Sequence, residues 1–129
     1  RPMKRMTLHV TSLVILILSG WAAYYSYCYH EGNASANRSV DLLNEGKLDE
    51  AIVEANKAIR LIPDDALGYF VRGAARFHLI QQKQCDNTFV ECKQDLEKAQ
   101  ADSKNEEVRV RAGRFLSLIK AIEDQQSFS

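Results

Sequence analysis

The middle of the chain carries apolar and polar residues in the order expected for an amphipathic helix. Between Gly46 and Pro63 the apolar positions recur every three or four residues, the pattern of a helix with one buried face. They are Leu48, Ala51, Ile52, Ala55, Ala58, Ile59 and Ile62. Gly46 suits the left-handed turn that ends a preceding helix, and Pro63 cannot continue this one. The pattern therefore predicts a helix bounded by two turns.

Two later segments show the same helical periodicity. Asp64 to Leu79 has its stripe at Ala66, Tyr69, Phe70, Gly73, Ala74 and Phe77. Asn105 to Asp124 has its stripe at Val108, Ala112, Phe115, Leu116, Ile119 and Ile122. We expect Asp64 or Asp65 to cap the first of these helices, and the second to close the end of an all-α domain.

The residues on both sides of Gly46 carry a resemblance to a known family. The positions that match the second helix of a tetratricopeptide repeat are Gly46, Leu48, Ala51, Ile52, Ala58, Ile59 and Pro63. Ser39 and Leu42 match the first helix, so Asn33 to Pro63 resembles one repeat, although Leu42, Leu48 and Ala55 stand where large aromatic residues are usual. The resemblance implies an array of helical hairpins over residues 38–124, with about two repeats and a capping helix.

The second repeat of that array is interrupted by an insertion that contains cysteine. Ser39 to Ala51 spans 12 residues, whereas the matching interval from Gly73 to Cys92 spans 19. Cys85 and Cys92 bracket the extra residues, and outside the cytoplasm they are expected to form a disulfide. Free structural thiols, or a thiol-redox or metal role, are the alternatives, although the spacing lacks the C-x-x-C form of an oxidoreductase.

The amino-terminal segment has the length and composition of a membrane span. Thr7 to Tyr29 contains 23 residues without a formal charge, enough to cross a hydrocarbon core of about 30 Å. Aromatic residues suited to the membrane interface gather at its far end: Trp21, Tyr24, Tyr25, Tyr27 and Tyr29. Arg1, Lys4 and Arg5 precede the span, which predicts a cytoplasmic tail over residues 1–6 and an extracytoplasmic domain.

We interpret this segment as a retained signal-anchor, with a cleaved signal peptide as the alternative. The expected location is a bacterial inner membrane with the domain in the periplasm. A short polar connector is predicted at residues 30–37, and a frayed polar tail at residues 125–129. His9 within the span is expected to form a hydrogen bond with a neighbouring group or to reach the membrane interface, with a pigment or haem ligand as the alternative.

Charge and motifs argue against several classes of function. The net charge is zero, and residues 31–129 carry 14 basic and 17 acidic side chains, so we do not expect a nucleic-acid partner. Arg109, Arg111 and Arg114 form a basic cluster, interpreted as a solvated helix face or a contact with an acidic partner or lipid headgroups. The sequence has no recognisable catalytic motif or metal-ligand cluster, so we expect no enzyme activity, cofactor, metal or small-molecule substrate.

The family resemblance implies protein binding through a concave surface formed by the first helix of each repeat. By register, the partner-binding residues would be Val40, Leu43, Asn44, Leu67, Phe70, Ala74, Phe77 and His78. We expect a non-catalytic accessory or scaffold subunit of a larger membrane complex, in contact with its other subunits and the lipid bilayer. The alternatives are a membrane-anchored assembly factor that binds clients transiently, and a thiol-dependent redox protein using Cys85 and Cys92.

Overall fold

The computed structural model describes residues 2–83 and 89–127, and within those ranges all regular structure is helical. The helices are α1 (Pro2–Asn44), α2 (Leu48–Leu61), α3 (Ala66–Lys83), α4 (Val90–Asp102) and α5 (Glu106–Ser127). This confirms the predicted all-α class. α1 is the one helix of the described chain that is long and apolar enough to cross a membrane, judged by length and composition.

The helices form two layers. Each helix packs antiparallel against the next along the chain. α1 also contacts α3, and α3 contacts α5, whereas α2 and α4 do not meet. The layer of α1, α3 and α5 therefore lies on the layer of α2 and α4, and the core fills the space between them. Ala51, Ala55 and Ala58 of α2 are fully buried there.

Local sequence determines the turn between α1 and α2. Gly46 has a φ of +79°, in the left-handed region where glycine avoids the strain of a side chain. The N–H of Lys47 donates to the carbonyl of Leu42 at 2.9 Å, and that of Gly46 to the carbonyl of Leu43 at 3.1 Å. These two bonds form a Schellman motif, which satisfies the last carbonyls of α1. The helix end predicted at Gly46 is confirmed.

The turn between α2 and α3 follows the same logic. Ile62, the residue before Pro63, is extended with a φ of −130° and a ψ of 90°, so α2 ends at Leu61. The N–H of Leu67 then donates to Asp65 Oδ1 at 3.2 Å, which identifies Asp65 rather than Asp64 as the side chain that caps α3.

Glycine and alanine let the helices cross closely. A Cβ atom added to Gly73 of α3 would lie 2.9 Å from Leu96 Cγ and 3.1 Å from Asp95 Cβ of α4. Cys92 of α4 is also buried in this crossing, at the position that corresponds to Ala51 of α2. The small residue predicted at Gly73 is therefore required by the distance between α3 and α4.

The structure corrects the connector predicted at residues 30–37, because α1 runs through this segment without a break. Gly32 packs so closely on α2 that an added Cβ would lie 2.6 Å from Ile62 Cδ1. Ser35, Ala36 and Ser39 are buried on the same side of α1. The low helix propensity of Gly32, Ser35 and Ser39 is outweighed by packing against α2, which the small size of these residues permits.

Ion pairs also join this part of α1 to α2. Glu31 Oε1 lies 2.8 Å from Lys57 Nζ and 3.2 Å from Arg38 Nη2. Arg38 Nε reaches Glu54 Oε2 at 3.4 Å. The network spans two turns of α1, and its side chains are partly exposed, so it contributes chiefly to the alignment of the two helices.

Part of the insertion predicted in the second hairpin lies within α3. That helix continues to Lys83, ten residues past Gly73, whereas α1 ends five residues past the corresponding Ser39. Residues 84–88, which include Cys85, lie outside the described chain. The predicted frayed tail is also corrected in part, because α5 extends to Ser127; residues 128 and 129 lie outside the described chain.

Substituting the glycine at the α3–α4 crossing tests the packing described above. Gly73→Ala is expected to lower the free energy of unfolding by about 1–2 kcal/mol, because overpacking outweighs the gain in helix propensity. Gly113→Ala is the matched control, because its added Cβ would meet only the flexible end of Gln100, at 3.1 Å. Denaturant unfolding of the full chain in detergent, followed by circular dichroism, checks both. Equal stabilisation by the two substitutions would contradict the packing argument.

The ion pairs between α1 and α2 predict a pH-dependent contribution to stability. Lys57, and then Arg38, hold the pKa of Glu31 below its ordinary value of 4.5. The carboxyl group of Glu31 therefore binds its proton less tightly in the folded state than in the unfolded chain. The stabilisation is present above the ordinary pKa of 4.5 and is lost as pH falls through the lowered pKa of the folded state.

We expect Glu31→Gln to lower the denaturation midpoint at neutral pH, with the difference from the unmodified chain vanishing in acid. Denaturant titrations across pH measure this difference, and Glu97→Gln is the control because Glu97 is exposed and forms no ion pair in the described chain. A difference that persists at low pH would show that Glu31 acts by packing.

Candidate partner-binding groove

An open groove runs across the layer of α1, α3 and α5, with a volume of about 650 Å³. Asn37, Val40, Asp41, Leu43 and Asn44 line it from α1, and Leu67, Phe70 and His78 from α3. Asn105, Glu107, Val108, Arg111 and Phe115 line it from the start of α5 and the turn before it. Each of the three helices thus contributes one side or the floor of the groove.

The floor of the groove is apolar and its rim is polar. Val40, Leu43 and Leu67 are half-buried and pack against the hydrophobic core. Asn37 and Asn44 are exposed two turns apart on α1. Amide side chains of this kind both donate and accept hydrogen bonds, so they can pair with the backbone of a peptide laid on the apolar floor.

Six of the eight residues predicted to bind a partner line this groove. They are Val40, Leu43, Asn44, Leu67, Phe70 and His78. The other two, Ala74 and Phe77, are buried in the core. The structure therefore brings most of the predicted surface together and places its remaining part under α5.

Phe115 of α5 closes that part of the predicted surface. Its ring centroid lies 5.4 Å from that of Phe77, 6.0 Å from that of Phe70 and 5.7 Å from that of His78. These are edge-to-face contacts, an arrangement favoured by aromatic rings. Ala74 and Phe77 are therefore removed from contact with any external ligand, and the open groove lies beside this aromatic cluster.

The contribution of α5 to the groove was missed in the sequence analysis. The apolar stripe of α5 predicts a capping helix, yet Val108 and Phe115 of that stripe also line the groove. Arg111 is the member of the basic cluster on α5 that reaches the rim of the groove. Its Nη1 lies 3.8 Å from Glu107 Oε1, and Arg109 Nη2 lies 3.7 Å from Glu106 Oε2. These exposed pairs stabilise little, and they leave the positive charge of Arg111 balanced at the rim.

The amino-terminal part of α1 extends away from this domain. Its large apolar side chains are between 48% and 80% exposed from Met3 to Trp21, and Cys28 is the first buried residue described on the helix. The predicted interfacial residues are all exposed and lie close to Cys28 along the helix, at Trp21, Tyr24, Tyr25, Tyr27 and Tyr29. The hydroxyls of Thr7, Thr11, Ser12 and Ser19 donate to carbonyls of preceding residues in α1. Their hydrogen-bonding needs are therefore met within the helix.

Cys92 is a free, buried thiol that donates from Sγ to the carbonyl of Gly73 at 3.0 Å. Burial, and then the nearby Asp95 carboxylate, raises the pKa of Cys92 to about 12. Because the thiolate is the reactive form of cysteine, this environment is poor for thiol chemistry. Its predicted disulfide partner Cys85 lies outside the described residues, and because Cys92 is a free thiol in this structure the predicted disulfide is not supported. Residues 2–83 and 89–127 contain no group of His, Cys, Asp and Glu side chains suited to hold a metal ion.

Comparison with protein-family models, with curated proteins and with solved structures found no match to this chain.

Alkylation of cysteine tests the environment of Cys92. With a pKa of about 12, we expect Cys92 in the folded chain to react about a thousandfold more slowly than an unperturbed cysteine at neutral pH. After denaturation without a reductant, a free Cys92 becomes reactive, whereas a Cys92 in a disulfide does not. Mass spectrometry of the alkylated peptides, with and without prior reduction, measures both. Rapid labelling of Cys92 in the folded chain would contradict the buried position.

Proposed function

We propose that this chain is a non-catalytic accessory or scaffold subunit of a larger membrane protein complex. The amino-terminal part of α1 anchors it in the bilayer, and the domain binds a neighbouring subunit through the groove of α1, α3 and α5. The observation that carries the proposal is the joining of two unpartnered apolar surfaces in one chain: the all-round apolar stretch of α1 and the apolar floor of the groove.

The apolar stretch of α1 supports a membrane anchor. Soluble proteins rarely expose continuous apolar surface of this length, because its hydration is unfavourable. A lipid environment removes that surface from water while the helix satisfies its own backbone. The basic side chains of Lys4 and Arg5 before the span favour a cytoplasmic amino terminus and an extracytoplasmic domain.

The arrangement of the helices supports a domain of tetratricopeptide type. Antiparallel hairpins stack in two layers, and the small residues Ala51 and Gly73 lie at the helix crossings. In an array of this kind the first helices of successive hairpins form one surface. α1, α3 and α5 occupy that layer here, and the open groove lies on it.

The proposed ligand is a peptide segment with apolar side chains. Val40, Leu43 and Leu67 offer apolar contacts, while the amides of Asn37 and Asn44 offer hydrogen bonds to its backbone. Tethering to the same membrane raises the effective concentration of the two partners, so contacts of modest strength give a stable complex.

Two other functions differ from this proposal in their expected behaviour. An assembly factor would exchange its client proteins, and these would co-purify with it in substoichiometric amounts. A thiol-dependent redox protein requires a reactive cysteine, and the burial of Cys92 counts against that role for it.

Purification of the tagged full chain from its native membranes in mild detergent tests the proposal, with partners quantified by mass spectrometry. We expect other membrane proteins to co-purify at a fixed molar ratio. Leu43→Glu is expected to reduce their recovery at least tenfold, because it places a charge on the apolar floor of the groove.

Val53→Glu is the matched control, since Val53 is an exposed aliphatic residue of α2 away from the groove. Asn44→Lys provides a second groove variant at an exposed position, where folding is not at risk. Circular dichroism verifies the fold of each variant. Recovery of the chain alone, or equal loss with Leu43→Glu and Val53→Glu, would contradict the proposal.

A further inference from the structure

The helix that carries the apolar stretch is the same helix that forms one side of the groove. α1 continues from Pro2 to Asn44, and its groove residues begin at Asn37, only nine residues after the first buried position at Cys28. No turn or loop separates the two parts. The orientation of the apolar stretch is thus transmitted to the groove through continuous backbone hydrogen bonds.

The domain is held on α1 by contacts close to the apolar stretch. Gly32 lies against Ile62, and Glu31 forms its ion pair with Lys57 one residue earlier. Tyr29 and Asn33 also border a cleft with the turns before α3 and α5. The domain therefore cannot change its angle to α1 without breaking these contacts. The part of α1 that follows Cys28 acts as a rigid spacer between the apolar stretch and the groove.

The length of this spacer defines a height above the membrane. Lys4 and Arg5 mark one boundary of the apolar stretch, and a hydrocarbon core of about 30 Å takes about 20 residues, which places the other boundary near Tyr25. At about 1.5 Å per residue, Asn37 to Asn44 then lie about 18–29 Å above that boundary for an upright helix, and slightly lower for a tilted one.

We infer that the groove binds a segment of a second membrane-anchored protein that is presented at this height, about 18–29 Å above the hydrocarbon boundary. The inference rests on the proposed function and adds to it the position and anchoring of the partner. A rigid spacer favours a partner whose own height is fixed, because both binding surfaces then meet without loss of conformational freedom.

The charge at the rim specifies the segment further. Asp41 lines the groove and forms no ion pair within residues 2–83 and 89–127, whereas Glu107 on the opposite side is balanced by Arg111. The unbalanced negative charge favours a segment that carries a lysine or arginine among its apolar residues.

Cross-linking from the groove in native membranes tests the inference. A photoreactive amino acid at Asn44, an exposed position on the rim, is expected to cross-link a protein whose molecules that have not been cross-linked stay in the membrane after an alkaline carbonate wash. Seven residues (Ala-Ala-Glu-Ala-Ala-Lys-Ala) inserted after Ser26 lengthen α1 by two turns, or about 10 Å, while all contacts of the domain from Cys28 onward are kept. We expect this insertion to lower the cross-link yield at least tenfold.

Two insertions of equal length serve as controls. A flexible Gly-Ser insertion after Ser26 lets the domain return to its original height, so it is expected to retain a substantial part of the yield. The helical insertion placed before Lys4 leaves the height unchanged and is expected to retain all of it. Asp41→Lys is expected to lower the yield by reversing the charge at the rim.

The outcomes separate this inference from the proposed function. No cross-linked product from Asn44 would contradict the proposed function itself. A cross-linked partner that the carbonate wash releases when it is not cross-linked, or a yield that is unchanged by the helical insertion after Ser26, would leave the groove as a binding site but overturn the fixed height and the membrane-anchored partner.

Discussion

The close approach of α1 and α2 is the contact on which the rest of this structure depends. Gly32 lies against Ile62, and the buried Ser35, Ala36 and Ser39 continue the same seam. Side chains of this size bring the helix axes together, so that packing contacts outweigh the low helix propensity of glycine and serine. Because the seam lies on the helix that bears the apolar stretch, it makes the first helix of the domain and the proposed anchor a single rigid element.

The shape of the groove follows from this seam and from α5. Packing of α1 on α2 sets the position of Val40 and Leu43, while α5 fixes the opposite side. Phe115 contacts Phe77 and so covers one end of the layer of α1, α3 and α5 with the chain's own side chains. The other end stays open because α1 and α5 are both in contact with α3 and do not contact each other. A two-hairpin domain thereby keeps an open groove while closing its core.

The sequence predicted the parts of this fold that depend on local chemistry. Gly46, Pro63 and Asp65 act at the helix ends through backbone conformation and capping, which neighbouring residues determine. The continuity of α1 was not predictable in this way, because residues 30–37 have the polar composition of a connector. The helix there depends on packing against Ile62 of α2, a contact that the local sequence does not reveal. The role of α5 in the groove was missed for a related reason: a periodic stripe identifies a buried face but does not tell which neighbouring helix covers it.

An ionic cluster around the buried Asp95 joins α3 and α4 and favours one register of the two helices. Arg72 binds Asp95 with two hydrogen bonds, at 2.7 and 2.9 Å, and Arg76 adds a third at 3.2 Å. Asp95 is 5% exposed, so loss of both arginines would leave an unpaired charge in the interior. Arg72 also donates to Asn56 of α2 at 3.0 Å, which links α2, α3 and α4 through one side chain.

Sliding α4 along α3 by one turn would separate Asp95 from its partners, and the cost of that separation favours a single register. The same cluster lies one turn from Cys92, where α3 and α4 are already held at Gly73, so the alignment of these two helices is explained without a covalent link between them.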